Sequence, residues 1–311
     1  MAPYVIRKLA FTLVVVLGAA TFSFLLLHAT PGDPAEALAG PQATQEDLQH
    51  LRVSLGLDRS LPVQYAIYMR NLARGDLGRS YRTHRPVLEE IAARWPATFS
   101  LSVTSLVVAM LVGVPLGILA AIRRRTWVDF LSMVGSLTGV SMPSFWLALI
   151  LIIVFSVKLK ALPFVGRDSP ASYILPSLTL GLGVAANIAR LTRASMLDVL
   201  GQDYIRTCKA KGLSTVRVLY VHALRNASIP IVTIVGLQLG TLLGGQVVTE
   251  TVFAWPGLGR MIVDGLLTRD LLLVQGGILI MALTFAVINL ATDLAYGVLD
   301  PRIRIHAGRR A

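Results

Sequence analysis

Residues 9–27 read LAFTLVVVLGAATFSFLLL, without one ionisable side chain from end to end. Twelve of these residues are Leu, Val or Phe. Each is worth about −0.3 to −0.6 kcal/mol at mid-membrane, at most roughly 4–7 kcal/mol together, whereas one central Asp or Arg would cost about +2.5 to +3.5. The absence of charge therefore decides the reading, because a bilayer needs about 20 such residues. Five more segments, 98–122, 130–157, 169–189, 226–249 and 271–292, also lack charge over bilayer-scale lengths. The expected fold is an all-α membrane protein with six transmembrane helices. Pro115, Pro143, Pro176 and Pro230 fall inside these segments; they would break soluble helices, but neighbouring helices in a membrane can satisfy the freed carbonyls. For the first segment a cleaved signal peptide, with Arg7 and Lys8 as its basic start, is the competing reading. The long apolar run, and His28-Ala29-Thr30 in place of an A-x-A-like site, favour an uncleaved helix.

Composition agrees. The chain has 311 residues, 54% apolar and only 15% charged, against about 25% charged in ordinary soluble domains, and its mean hydropathy is +0.67. Disorder, a collagen-like repeat and a disulfide scaffold are excluded, the last because Cys208 is the single cysteine. A formal charge of +12 would suggest nucleic acid in a soluble chain. In a polytopic membrane protein it reads as basic residues gathered in cytoplasmic loops, and no nucleic-acid partner is expected.

Orientation follows from those loops. With the N-terminus inside, Arg7 and Lys8, the run Arg123, Arg124 and Arg125, seven basic residues from Arg190 to Arg225 and four from Arg302 to Arg310 face the cytoplasm. That makes sixteen inside, against five (Lys158, Lys160, Arg167, Arg260, Arg269) in the short outer loops. Both termini are expected to be cytoplasmic. The chain divides at this level into 1–97, a first helix plus a long outer loop, and 98–311, a five-helix core carrying a cytoplasmic loop at 190–228. In the long outer loop, Thr44-Gln-Glu-Asp47 and Ser60 with Pro62 read as helix starts, and Gly75 as a stop. Val63, Ile67, Met69 and Leu72 share one face of the second helix. These short helices either lie on the outer membrane surface or cap the bundle.

No G-x-x-x-x-G-K-[ST] phosphate loop, H-E-x-x-H run or Cys/His cluster is present. Of five histidines only His28 lies near a span, so no catalytic set and no metal or cofactor site is expected, and energy for any work comes from elsewhere. The informative inside segment is Asp203-Tyr-Ile-Arg-Thr-Cys-Lys-Ala-Lys-Gly212. Asp203 can accept hydrogen bonds from free N–H groups at a helix start, Lys209 and Lys211 suit its negative end, and Gly212 suits a left-handed stop. The alternative is a solvated basic connector.

This segment, with His222-Ala-Leu-Arg-Asn226 and Pro230, resembles the cytoplasmic loop of dipeptide/oligopeptide-type ABC importer permeases. Pro31-Gly-Asp-Pro34, Leu55-Gly-Leu-Asp58, Gly75-Asp-Leu-Gly78, Pro115-Leu-Gly117, Glu250-Thr-Val-Phe253 with Pro256-Gly-Leu-Gly259, and Asp300-Pro-Arg302 fit the same family in order. One departure is Cys208, where the family has a small Ala. The resemblance implies a type I ABC importer permease in a bacterial inner membrane. It also implies partners: two ABC ATPase subunits that bind ATP and Mg, a second, non-identical permease subunit and an extracytoplasmic substrate-binding protein. Asp203, Tyr204, Ile205, Arg206, Thr207, Lys209, Ala210, Lys211 and Gly212 would form the coupling helix, with Tyr204 and Ile205 as apolar docking residues and Arg206, Lys209 and Lys211 as polar ones. Glu250, Phe253, Trp255, Pro256 and Gly257 would lie beside the outer gate and the binding-protein surface; Trp255 as an interfacial aromatic anchor is the alternative. The expected cargo is a dipeptide or oligopeptide, with nickel, glutathione or opines as alternatives within the family. An intramembrane enzyme or a membrane scaffold is the alternative from another class.

Two further sets come from the residues alone. Gly236, Gly240 and Gly244 recur every fourth residue, which allows close helix approach, within the chain or against a second permease; a ligand-gated hinge is the alternative. Asn187, Gln238, Gln246, Asn289 and Asp293 are polar groups at or near membrane depth, and such groups are candidates for a pathway or gate.

Overall fold

The computed structural model describes residues 2–29, 44–244 and 246–299. The motifs at 31–34 and 300–302 and the basic residues Arg302 to Arg310 lie outside them. Among the described residues there is no strand, only an isolated bridge between Arg79 and Pro86. The helices are α1 (Ala2–Ala29), two outer helices α2 (Gln45–Leu55) and α3 (Leu61–Ala73), then α4 (Val87–Ile122), α5 (Trp127–Ser141) and α6 (Ser144–Lys158). A 3-10 turn, Pro170–Tyr173, leads into α7 (Ile174–Leu200). The short α8 (Asp203–Ala210) follows, then α9 (Thr215–Gly244), whose first part winds as a π-helix over Val218–Ala223. Two short helices, α10 (Val247–Val252) and α11 (Leu258–Leu267), precede α12 (Leu271–Leu299).

Among the described residues five helices are long and apolar enough to cross a bilayer, or six if α5 and α6, which meet at 102°, count as one broken span. The expected continuous helix over 130–157 is thus corrected. Met142 (φ −81°, ψ 121°) and Pro143 (φ −59°, ψ 134°) are extended, because a proline drives the preceding residue out of the helical region. Pro115 and Pro230 stay inside their helices. The helix α4 runs unbroken across the 97/98 boundary. Most of 190–228 is helix: α7 runs on to Leu200 and α9 begins at Thr215, so the connection between them is little more than α8 and its flanks.

Small residues set the closest approaches. A Cβ at Gly113 would lie 2.6 Å from the Ala185 carbonyl oxygen, and one at Gly117 2.5 Å from that of Ala189. One at Gly181 would lie 2.7 Å from the Ser105 carbonyl. α4 and α7 therefore touch backbone to backbone. Gly236 and Gly240 instead make room within the chain for the side chains of Thr292, Asn289 and Phe285 of α12, whereas a Cβ at Gly244 would meet only Phe285 at 3.9 Å. Lys8 of α1 pairs with Asp293 of α12 at 2.5 Å.

Outside, α3 starts after extended Ser60 and is followed by Gly75 at φ +77°. It leans on α1 through Tyr65 (hydroxyl 2.8 Å from Thr21 Oγ1), Gln64 (2.9 Å from His28) and the rings of Tyr65 and Tyr68 against Phe24. Of the expected apolar face, Val63 is exposed, whereas Ile67 lines one cleft with Phe24 and Tyr68. The following turn is fastened to the start of α12, where buried Asp270 accepts from the Ser80 hydroxyl (2.5 Å) and the Tyr81 N–H (3.2 Å).

Candidate functional site

α8 forms because Gln202 is extended at its start and Gly212, at φ +78°, ends it in the left-handed region. Asp203 was expected to cap it. No side-chain cap bond is made, and the Asp203 carboxylate instead stands in the first turn, 3.5 Å from Arg206. There it favours the positive end of the helix by charge alone.

The helix has two faces. Ile205 is 0% exposed and packs with Ile118, Ala121, Met196, Val199, Val218 and Ala223. Tyr204 and Cys208 lean on the same cluster; the Tyr204 hydroxyl donates to the His222 carbonyl (3.4 Å) and accepts from Asn226 Nδ2 (2.7 Å). Ile205 is therefore corrected from docking residue to internal anchor, and half-buried Tyr204 is a clamp on α9. Burial of an isoleucine is worth about 1.5–3 kcal/mol, enough to hold so short a helix in place. Asp203, Arg206, Thr207, Lys209, Ala210, Lys211 and Gly212 remain exposed. The presented surface is polar and basic.

A contact between α7 and α5 was not anticipated from the sequence. Arg193 of α7 grips Asp129 of α5 with two hydrogen bonds, Nε to Oδ1 at 2.5 Å and Nη2 to Oδ2 at 2.8 Å, while the Arg125 N–H donates to Asp129 Oδ2 at 3.0 Å. Both residues sit just outside apolar segments, at ends that a six-span topology puts on one side, so topology alone could have paired them.

The outer motif closes on Glu250, which is 0% exposed. Its Oε1 accepts from the Thr98 hydroxyl of α4 (2.6 Å), and its Oε2 from the Arg260 N–H (3.0 Å). Thr98 in turn accepts from the Leu258 N–H at 2.8 Å. A side chain at Gly257 would collide with the carboxyl, and one at Gly259 would lie 2.7 Å from Val247 Cα. The Pro256-Gly-Leu-Gly259 turn thus wraps a buried carboxyl. Burial pushes that carboxyl above the ordinary glutamate value, while hydrogen bonds from Thr98, Arg260 and Gly259 pull it down. Phe253 and Trp255 are buried as well; Trp255 Nε1 donates to the Ala97 carbonyl at 3.0 Å, and Tyr173 stands edge-on to its ring at 4.6 Å. An interfacial anchor at Trp255 is ruled out. Of this set only Pro256 is exposed, which removes Glu250, Phe253, Trp255 and Gly257 from any docking surface on the folded chain.

The polar candidates separate. Asn187 accepts from Arg190 at 2.7 Å, and Gln238 accepts from Thr241 at 3.1 Å. Asp293 holds Lys8. Asn289 Oδ1 is buried without a partner against Gly240. Gln246, 0% exposed, reaches Ser102 of α4 through Nε2 and leaves Oε1 without a partner. Among the described residues no group of His, Cys, Asp or Glu could hold a metal ion.

The sequence matches the profile of the binding-protein-dependent transport system inner membrane component over residues 113–305, and the profile of its N-terminal region over residues 1–102. It is 48% identical over 304 residues to the glutathione transport system permease protein GsiC of Escherichia coli K12, covering 98% of this chain and 99% of that one. The GsiC protein of Salmonella paratyphi A is 47% identical with the same coverage. Among solved structures, the MetNI methionine ABC transporter in an inward-facing conformation matches with a TM-score of 0.56 at 18% identity, over 68% of this chain and 97% of that one. An amino acid ABC transporter solved with histidines matches at 0.51 and 14%, over 69% and 94%. These structural likenesses concern the fold.

Proposed function

The chain belongs to the family of binding-protein-dependent transport system inner membrane components and is a multi-pass permease subunit of an ABC importer, and from that premise we propose that it carries short peptides inward, glutathione first among them. Near full-length identity to GsiC supports glutathione; the ordered peptide-permease motifs support dipeptides and oligopeptides as the second reading. The chain supplies half of the path, a second, non-identical permease the other half, and an extracytoplasmic binding protein delivers the cargo. Both termini are cytoplasmic. The chain is not an enzyme: ATP and Mg are bound and hydrolysed on two separate ATPase subunits.

The observation that carries this reading is the split of α8. A ligand shifts a conformational equilibrium only through its different affinities for the two states, and ATP has that difference at the ATPases. α8 offers them exposed Arg206, Lys209 and Lys211, while Ile205, Tyr204 and Cys208 root it in the ends of α4, α7 and α9. A pull on the outer face reaches the spans through the inner one.

The test is uptake into vesicles holding the chain with its ATPases and partner permease, supplied with binding protein. Labelled glutathione should accumulate only with ATP and binding protein. Accumulation of dipeptides but not glutathione would move the cargo to the second reading, and accumulation of neither would refute a peptide cargo. Uptake by the chain without ATPases would refute the coupling role.

A further inference from the structure

α5 ends at Ser141 and α6 begins at Ser144 after a 102° turn. α5 has fifteen residues, so at 1.5 Å each it has climbed about 22 Å from the inner interface, inside a hydrocarbon core of about 30 Å. The N–H groups of Trp146 and Leu147 bond back to Pro143, but those of Ser144 and Phe145, at the start of α6, have no intrahelical partner. Interrupted backbone at that depth is tolerated only against protein or a water-filled cavity. Yet Ser141, Pro143, Ser144 and nearby Thr241 are exposed on this chain. Lipid is therefore an unsuitable neighbour for this face.

A cavity of about 200 Å³ opens at the break, walled by Ser144, Thr179, Gly183, Thr241 and Gln246, with Met142, Leu147 and Leu180 as apolar lining. The Gln246 amide is oriented by its neighbours. The Ser102 hydroxyl spends its proton on the Thr98 carbonyl (2.9 Å), so its oxygen accepts from Gln246 Nε2. Gln246 Oε1 is then a buried acceptor without a donor, a costly condition unless something supplies one. The wall of the cavity thus holds an unspent acceptor just beneath its surface, which a small turn of the Gln246 side chain would present, beside the unspent donors and positive end of a half-helix.

We propose that this cavity is a membrane subsite for the last peptide unit of a substrate in transit: its amide N–H donates to Gln246 Oε1, and its C-terminal carboxylate lies toward the N–H groups of Ser144 and Phe145. The subsite rests on the peptide-transport reading above and deepens it, for it recognises groups that all linear peptides share and leaves side chains to an apolar wall.

Two measurements on the complete importer in vesicles test it. Ser144→Cys should react with a charged thiol reagent, faster than the parent chain with its lone Cys208, and substrate should slow that reaction. Separately, a peptide and its analogue N-methylated at the last amide are compared as substrates, with the same binding protein throughout so that its preference cancels. The parent importer should favour the unmodified peptide about tenfold more than the Gln246→Met importer does. Should Gln246→Met fail to assemble, Gly183→Leu serves: a Cβ there meets only the Gly139 carbonyl at 3.9 Å, and the longer side chain fills the cavity and should cut uptake at least about tenfold. An inert Ser144→Cys, an unchanged preference in Gln246→Met, or undiminished uptake by assembled Gly183→Leu overturns the subsite. Absence of peptide uptake by the parent importer overturns the transport reading instead.

Discussion

Replacing Glu250 by glutamine tests whether the outer turn is held by an acceptor-only carboxyl. The native group receives the Thr98 hydroxyl at 2.6 Å and the Arg260 N–H at 3.0 Å, with the Gly259 N–H beside it. An amide has one oxygen, so either its NH2 opposes the backbone donors or it faces Thr98, whose own proton then goes unspent. Each arrangement orphans at least one buried donor, at about 1–3 kcal/mol. At about 2–4 °C per kcal/mol, the melting temperature of the purified subunit should fall by about 2–12 °C. Glu250→Ala orphans all of these donors and opens a cavity, so it should fall further. A thermal melt in detergent measures both. The pH dependence supplies a second arm. Because burial raises this carboxyl in the folded state, its protonated form is favoured by folding. That contribution is complete below the ordinary glutamate value and is lost as pH rises through the elevated native value. Stability should decline over that window in the parent and not in Glu250→Gln. Equal melting of all three proteins, or a stability that rises over the window through this residue, would refute the buried-clasp account.

At the inner side, Arg206→Glu with Lys209→Glu should abolish co-purification of the ATPases while leaving the melting temperature within about 2 °C, since surface charges contribute little to stability. Ile205→Asp should do the opposite and destabilise the subunit by several kcal/mol, because it buries an unpaired charge; the melt distinguishes the two. Asp129→Asn should cost about 3 kcal/mol, the low end for a buried pair since Arg193 keeps partial exposure, and inactivation on heating should show it. Gly117→Val, aimed at the Ala189 carbonyl, should prevent stable expression, whereas Gly139→Ala, with its first contact at 3.5 Å, should be neutral or stabilise by up to about 1 kcal/mol; expression with monodisperse elution reads both.

Spans, turns and short helices were legible because the bilayer and local chemistry act on contiguous residues. The charge-free runs located the membrane crossings, Ser60 and Pro62 announced α3, and Gly212 announced the end of α8. Residues that meet across the fold were not legible. Nothing near Ile205 in the sequence tells that its neighbours are Ile118 and Val218 rather than an ATPase, since an apolar residue in a polar loop suits either. Pro143 illustrates a different limit. Pro115 and Pro230 are equally interior, yet only Pro143 breaks its helix among these three, because the outcome depends on whether packed neighbours can satisfy the freed carbonyls. Trp255 and Glu250 looked like surface groups because they sit next to a span; their burial comes from α4, some 150 residues away in sequence.

α4 connects the two ends of the molecule. Ile118 and Ala121 near its inner end belong to the cluster that holds Ile205, and Thr98 and Ser102 near its outer end hold Glu250 and Gln246. At 1.5 Å per residue its 36 residues extend about 54 Å, longer than the hydrocarbon core. The backbone contacts at Gly113, Gly117 and Gly181 resist sliding against α7, because packed interfaces of this kind have few alternative arrangements. Asp129 adds the start of α5 to the same unit through Arg193. On the proposed coupling role, a displacement of α8 would reach the outer turn as a movement of the joined helices, not as a local melting around Ile205. At the Met142–Pro143 break no helical hydrogen bonds cross from α5 to α6, but side chains join α6 to the same unit, since Ala148 and Ile152 pack with Leu175 of α7 and Phe253 of the outer turn. If α8 drives the outer turn through α4, then α6 is carried along by Phe253 and pivots at the Met142–Pro143 break, and the cavity beside Gln246 changes shape with it.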